Sequence, residues 1–452
     1  MRKWFIIICL AGATATTLWL RNMPDRDIAH QEEIVNHCLR NIAHGDYETR
    51  NEARIALASF GPSATEIVVR ALDNRPGLLD RALTRLARHA SWLRFEPSTD
   101  HQLRQRAAEQ LATKPLSEDP ASIPALIRAL ADDSSGVVEE AQRSLRRLGA
   151  QAVVPALAQA LNSRREIIRF HAAEVLRDLG RDASPATPAL LALLHDRDPG
   201  IRVVAAHALG HIGGERALTG LIVALGDKSP LARTAVAFAL GSMGPAAADS
   251  APRVRQCLFD PDANVRVASA RALWQITGDT TASVPVLIAT LNRPNAWDSA
   301  LALGAMREAA SNAVPALINL VQREKVPRPL REMPVSALAL GQIGMPAVPA
   351  LIEITTHHDA RVRTSAAIAL GFVGAKAEPA IPHLVPLLRD SDADVRRAAT
   401  LALGNIDSGQ YASALVPALL RLANDDDIFL SSLAASTLER VDPEAAASVR
   451  RE

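Results

Sequence analysis

The stretch PALLALLHDRDPGIRVVAAHALGHIG, residues 188–213, decides the fold. Pro188 opens a helix, in whose first turn a missing N–H costs no hydrogen bond. Leu190, Leu193 and Leu194 then fall on one stripe of a 3.6-residue period. An acidic turn ending in Pro199-Gly200 stops this helix A and caps a second one, helix B. In helix B, Ala205, Ala206, Leu209 and Ile212 share the inward face. Gly210, near its tail, has no side chain, so a neighbouring backbone can approach closely. One such hairpin cannot bury its own apolar face, so hairpins must stack on one another.

The same order of residues returns at 349–374 (PALIEITTHHDARVRTSAAIALGFVG) and at 382–406 (PHLVPLLRDSDADVRRAATLALGNI). Equivalent positions begin at Pro124, Pro155, Pro188, Thr219, Pro252, Pro285, Pro315, Pro349, Pro382 and Pro417, spaced by 30 to 35 residues, giving about ten units over 121–442. Residues 31–120 hold divergent units: Arg50, Ala53, Leu57 and Gly61 repeat the helix-B pattern, as do Arg104, Ala107, Ala108 and Leu111. A divergent end suits a terminal unit that must cap the stack. Residues 443–452 read as a tail. The expected class is all-α, an α-solenoid of stacked antiparallel helix pairs. The unit at Pro285 is short, and the next carries a longer inter-helix loop, Gln322 to Pro334, whose prolines stiffen it. A bend near 292–334 is expected from that pair.

On these residues the chain resembles the HEAT-repeat family, of the armadillo-like solenoids, and within it the bacterial repeats related to phycobilisome lyases. The family's mark is a helix-A proline, an Asp eight residues on, and an Arg six after that. Asp196/Arg202, Asp227/Arg233, Asp260/Arg266 and Asp390/Arg396 meet that Asp–Arg offset. The resemblance implies that these eight residues form a hydrogen-bonded ladder between neighbouring turns, and that helix B lines the concave side. The units at Pro155, Pro285 and Pro315 lack the pair.

Before the repeats, Arg2 and Lys3 precede an apolar run, Trp4 to Leu20, with Trp at both ends. Residues 1–22 therefore read as a short membrane anchor or signal segment, and 23–30 as a polar tether. Cleavage after a small-residue site such as Ala11-Gly12-Ala13 is the rival to an uncleaved anchor. Cys9 makes a poor lipid-attachment site, because Ile8 stands where a small residue is wanted. Positive charge on the N-terminal side directs the body away from the cytoplasm, to the periplasmic or cell-surface side, or to secretion if the segment is cleaved.

Composition narrows the function. Fifty basic residues balance 49 acidic ones, and no clustered basic stripe of the kind that holds nucleic acid appears. Cys38 and Cys257 make no disulfide framework. No Ser/His/Asp or Cys/His set, phosphate-cradling glycine loop or functional carboxylate pair stands out, so neither a catalytic site nor a cofactor is expected. None of the 12 histidines precedes a Glu, which excludes the di-iron pattern of the HEAT-repeat hydroxylases. His207 and His211 share a helix face at metal-binding spacing but lack a third ligand. His357-His358 falls in a solvated turn.

The informative surface is helix B's outer ridge, at one, five and nine residues after the arginine. Phe170, Glu174, Val203, His207, His211, Phe238, Arg271, Ile368 and Phe372 are its candidate partner-binding residues, more apolar together than a solvated face requires. Mutual burial of crowded B helices is the alternative account. The expectation is a non-catalytic, membrane-tethered scaffold that grips a protein or peptide along the concave face. A bilin-lyase-like enzyme acting on a protein-bound small molecule, and a structural envelope spacer, are its competitors.

Overall fold

The structure is a computed structural model and describes residues 28–60, 63–73, 101–293, 296–324, 333–406 and 409–449. The expected anchor at Trp4–Leu20, Gly61, and most of the loop within Gln322–Pro334 lie outside these residues. Among the described residues every regular element is a helix, and no single helix is long and apolar enough to cross a membrane. The chain divides into two compact units, Met1–Ala239 and Leu240–Glu452.

In the first unit the helices run α1 (Ile28–His44), α2 (Tyr47–Ser59), α3 (Ser63–Asp73), α4 (His101–Leu111), α5 (Ser122–Ala129), α6 (Ser135–Leu148), α7 (Ala150–Ala160), α8 (Glu166–Leu179), α9 (Thr187–Leu193), α10 (Pro199–Ile212) and α11 (Glu215–Ala224). Helix α12 (Pro230–Met243) contains the division. The second unit continues with α13 (Ala251–Gln256), α14 (Ala263–Thr277), α15 (Thr280–Thr290), α16 (Trp297–Ala305), α17 (Val314–Arg323), α18 (Val335–Ile343), α19 (Val348–Ile354), α20 (Ala360–Val373), α21 (Ile381–Leu384), α22 (Ala393–Asn405), α23 (Ala412–Ala423), α24 (Ile428–Val441) and α25 (Pro443–Val449).

Each unit is two-layered. In the first, B helices pack on B helices (α4, α6, α8, α10) and A helices on A helices (α5, α7, α9, α11); α14, α16, α18, α20, α22 and α24 form the B layer of the second. Leu190, Ala205, Ala206 and Leu209 are fully buried between the layers. Burying a leucine contributes about 2 kcal/mol. Close B-helix packing depends on a glycine near the tail of several B helices, α10 and α20 among them. A Cβ at Gly210 would lie 2.8 Å from the Ala239 Cβ and 2.9 Å from its Cα, and one at Gly371 would lie 3.0 Å from the Ala402 Cα.

The prolines fall in two registers. Pro188, Pro252, Pro315, Pro349 and Pro382 occupy the first turn of their helices, whereas Pro155, Pro285 and Pro417 stand inside α7, α15 and α23. The first-turn expectation needs correcting for these three. In α7, α15 and α23 the residues ahead of the proline wind as α-helix; ahead of α9, α13, α17, α19 and α21 the chain forms a 3₁₀ turn.

Two aspartates share each complete inter-helix turn. The second caps helix B: Asp198 accepts from the Gly200 and Ile201 N–H groups at 2.7 and 3.1 Å, and Asp262 and Asp392 act alike in α14 and α22. The first aspartate closes its turn and also receives an arginine from the unit before it. Asp227 Oδ1 accepts from the Ser229 N–H at 2.7 Å, while Arg202 Nε and Nη2 donate to its carboxylate at 2.8 and 2.9 Å. Arg202 Nη1 donates to the Asp196 carbonyl of its own turn at 2.9 Å. Within one turn, therefore, the Asp196/Arg202 offset is a main-chain contact; the carboxylate bond belongs to consecutive turns.

Arg169 donates to Asp196 (2.8 and 3.1 Å), Arg363 to Asp390 (2.7 and 2.8 Å) and Arg104 to Asp132 (3.1 and 3.0 Å) in the same way. Arg233, Arg266 and Arg396 each donate Nη1 to the carbonyl of the aspartate six residues earlier, at 2.8, 2.7 and 3.0 Å. Where Asp is missing, substitutes appear. His357 Nδ1 accepts from the Asp359 N–H at 3.1 Å, so this half-buried ring takes a structural part that a merely solvated one would not. Glu324, at the end of α17, reaches across the long loop to the Val335 and Ser336 N–H groups at 3.0 and 3.4 Å and caps α18.

These bonds set the acid response. Burial pushes the Asp227 and Asp390 carboxyls up, but Arg202 and Arg363 with the turn N–H groups outweigh it and hold both below the ordinary value. Asp279 is lowered from 3.8 to about 2 by its bonds from Thr281 and Arg255 and from the Ala282 N–H. A carboxyl depressed by folding contributes stability in full above its unfolded pKa, and that contribution is lost as pH falls through the folded value. Denaturation midpoints should hold down to about pH 4 and then fall toward pH 2. The Asp279→Asn protein should show a shallower fall, read by urea titration at each pH.

Candidate functional site

The ridge residues lie where each B helix turns away from its A partner, and their exposure rises toward the helix C-terminus. Val203 and Phe170 are half-buried, Val267 and Thr364 buried; at the far end His211, Ser242 and Phe372 are exposed. Phe372 keeps 45% of its surface accessible. Its Cβ lies 2.3 Å from where a Cβ on Gly341 would stand, so the ring is seated over the glycine of the preceding B helix. Phe238 and Arg271 are half-buried. Ile368 is only 7% exposed and packs within the layer, offering a partner little surface. It shares the register of His207 and Phe238, so its burial comes from the helices beside it.

Glu174 is already engaged: its carboxylate accepts from Gln142 Nε2 at 3.0 Å and pairs with His171 Nδ1 at 2.9 Å. One turn on, Arg146 of α6 pairs with Asp178 of α8 at 2.9 Å. The first unit's ridge carboxylates thus tie neighbouring B helices together. Burial, and then the nearby charges of Arg177 and His211, hold the His207 imidazole below its usual pKa, so it is neutral at pH 7. Among the described residues no three His, Cys, Asp or Glu side chains gather as a metal-ligand group. At the exposed helix ends the ridge is mixed: Phe372 is aromatic, whereas Asp178, His211 and Ser242 are polar. The exposed Phe372 ring can bury a partner's side chain.

The fold these elements define is an all-α solenoid of stacked helix pairs. A family model of HEAT repeats matches residues 92–177, 171–241, 218–307, 334–404 and 381–449. The chain belongs to the HEAT-repeat family. Among solved structures it is similar to yeast importin-β (Kap95p), at 14% identity and a TM-score of 0.60, over 92% of this chain and 63% of that one. It is also similar to the Kap95p of a study in which Kap95p binding switches the loops of RanGDP, at 13% identity and a TM-score of 0.60, over 93% and 62%. The likeness at these identities is one of fold, and the chain spans somewhat under two thirds of those proteins' length. No curated protein matches the sequence.

Proposed function

We propose that this protein is a non-catalytic scaffold that holds a protein or peptide partner along the exposed helix-B ridge, with Trp4–Leu20 tethering it to a membrane and the repeats on the extracytoplasmic side. The observation that carries the reading is Phe372, 45% exposed at a ridge position on the otherwise packed helices of the second unit, with Phe170 and Phe238 half-buried at ridge positions of the first. Aromatic anchors at the centre of a contact supply most of its binding energy, because they bury large area at low entropic cost. The solenoid of similar fold, Kap95p, binds RanGDP.

The test is partner recovery. Tagged full-length protein is purified from detergent-solubilised membranes, and co-purifying proteins are identified by mass spectrometry. A recurrent partner should be recovered by the wild type and depleted about tenfold or more with the Phe238→Ser, Phe372→Ser double variant, at unchanged helical circular dichroism. Equal recovery with both proteins contradicts the reading.

A further inference from the structure

Seven helix-B tails among the described residues end on a glycine with positive φ: Gly149, Gly180, Gly213, Gly244, Gly278, Gly344 and Gly374, between 58° and 85°. Arg307, after α16, takes the same place. It is the one described non-glycine residue with positive φ, at 54°. The left-handed region disfavours a side chain with a Cβ by about 1 kcal/mol or more. A glycine would remove that cost, so the arginine is kept there against the preference of the backbone. Among the described residues its exposed guanidinium makes no hydrogen bond or ion pair within the chain.

Arg307 overlooks a cleft of about 790 Å³ at the tails of three consecutive B helices in the second unit. Gly341 and Gln342 of α18 form its floor, the residues after α16 one wall, and Phe372 of α20 the other. Lys376 spans the cleft to Glu308, Nζ to Oε1 at 3.2 Å. Arg307 and Lys376 against Glu308 leave the lining one positive charge in excess. The C-terminal ends of α16, α18 and α20 bring partial negative charge to the same place, and Lys376 is paired with Glu308, so a carboxylate is met at the Arg307 guanidinium.

We propose that this cleft takes an extended peptide segment of alternating acidic and apolar residues, with a carboxylate on Arg307 and an apolar side chain on Phe372. Successive side chains of an extended strand point to opposite sides. That matches a cleft with Arg307 on one wall and Phe372 on the other. The proposal rests on the scaffold reading and supplies the chemistry of its partner.

The probe is a fluorescein-labelled peptide, Gly-Ser-Glu-Leu-Glu-Leu-Glu-Ser-Gly, titrated with the full-length protein in detergent and followed by anisotropy; its control carries Lys for each Glu. The acidic peptide should saturate in the micromolar range, and the control should not bind. Arg307→Gly should weaken binding about tenfold, as loss of a charge-assisted hydrogen bond does. Its denaturation midpoint should be equal or higher, because the glycine relieves the left-handed residue. Glu308→Gln should tighten binding several-fold by raising the cleft's charge. No binding of the acidic peptide, or equal binding by wild type and Arg307→Gly, overturns the proposal. If Phe238→Ser depletes the native partner while Arg307→Gly leaves the peptide titration unchanged, the scaffold stands and this site falls. Peptide binding that depends on Arg307, with partner recovery indifferent to Phe238→Ser, leaves the cleft and removes the extended ridge.

Discussion

Arg202→Ala should destabilise the first unit by about 3 kcal/mol, the cost of removing one member of a buried pair. Arg202 is 4% exposed and Asp227 12%. Without the guanidinium, Asp227 keeps only its turn N–H as a partner, and the Asp196 carbonyl loses its donor. The partner carboxylate would then sit uncompensated, which sets the size of the effect. Arg146→Ala is the control. Its pair with Asp178 is 36% and 33% exposed, and an ion pair so open to water contributes about 0.5 kcal/mol or less. Urea unfolding of both variants by circular dichroism measures the contrast. Equal losses would mean that the inter-unit arginines are surface decoration.

The second large effect is steric. Gly210→Val should cost about 3 kcal/mol, the upper range for overpacking, because its Cβ alone would come within 3.0 Å of Ala239 backbone atoms. Gly210→Ala should destabilise less: alanine's helix preference of about 1 kcal/mol offsets part of the clash. Gly213→Ala meets no neighbour within 4 Å but must hold φ at 72°, and should cost about 1 kcal/mol through the backbone alone. Denaturation midpoints ordered Gly213→Ala and Gly210→Ala above Gly210→Val would separate contact from conformation.

The hairpins were legible because each step is local. Proline, leucine stripe, aspartate turn, alanine pair and tail glycine each have their own physical reason, and repetition multiplies the signal. Partners were less legible. Asp196 and Arg202 are six apart, so spacing suggests a pair, yet the carboxylate is taken by Arg169 from 27 residues upstream. The usable signal was an arginine followed 25 to 28 residues later by an aspartate, which holds for Arg104, Arg169, Arg202 and Arg363.

Arg307 is legible in the sequence too: Leu303-Gly304-Ala305-Met306-Arg307 stands where other tails read Leu-Gly-x-x-Gly. Its left-handed backbone and its cleft need coordinates. So does the burial of Ile368, since a ridge position is covered or open according to the neighbouring helices, which the pattern of a single unit does not contain. The role of Glu324 is not legible in the sequence, because it caps α18 across a loop whose length hides the relation.

Site-specific photo-crosslinking tests the central claim most directly. Benzoylphenylalanine is placed at Phe372 on the ridge or at Val223, a 68% exposed helix-A residue, and the tagged protein is irradiated in intact cells. The account predicts a discrete adduct with one partner from Phe372 and none from Val223. Adducts from Val223 alone, or the same adducts from both positions, would contradict binding on the helix-B face.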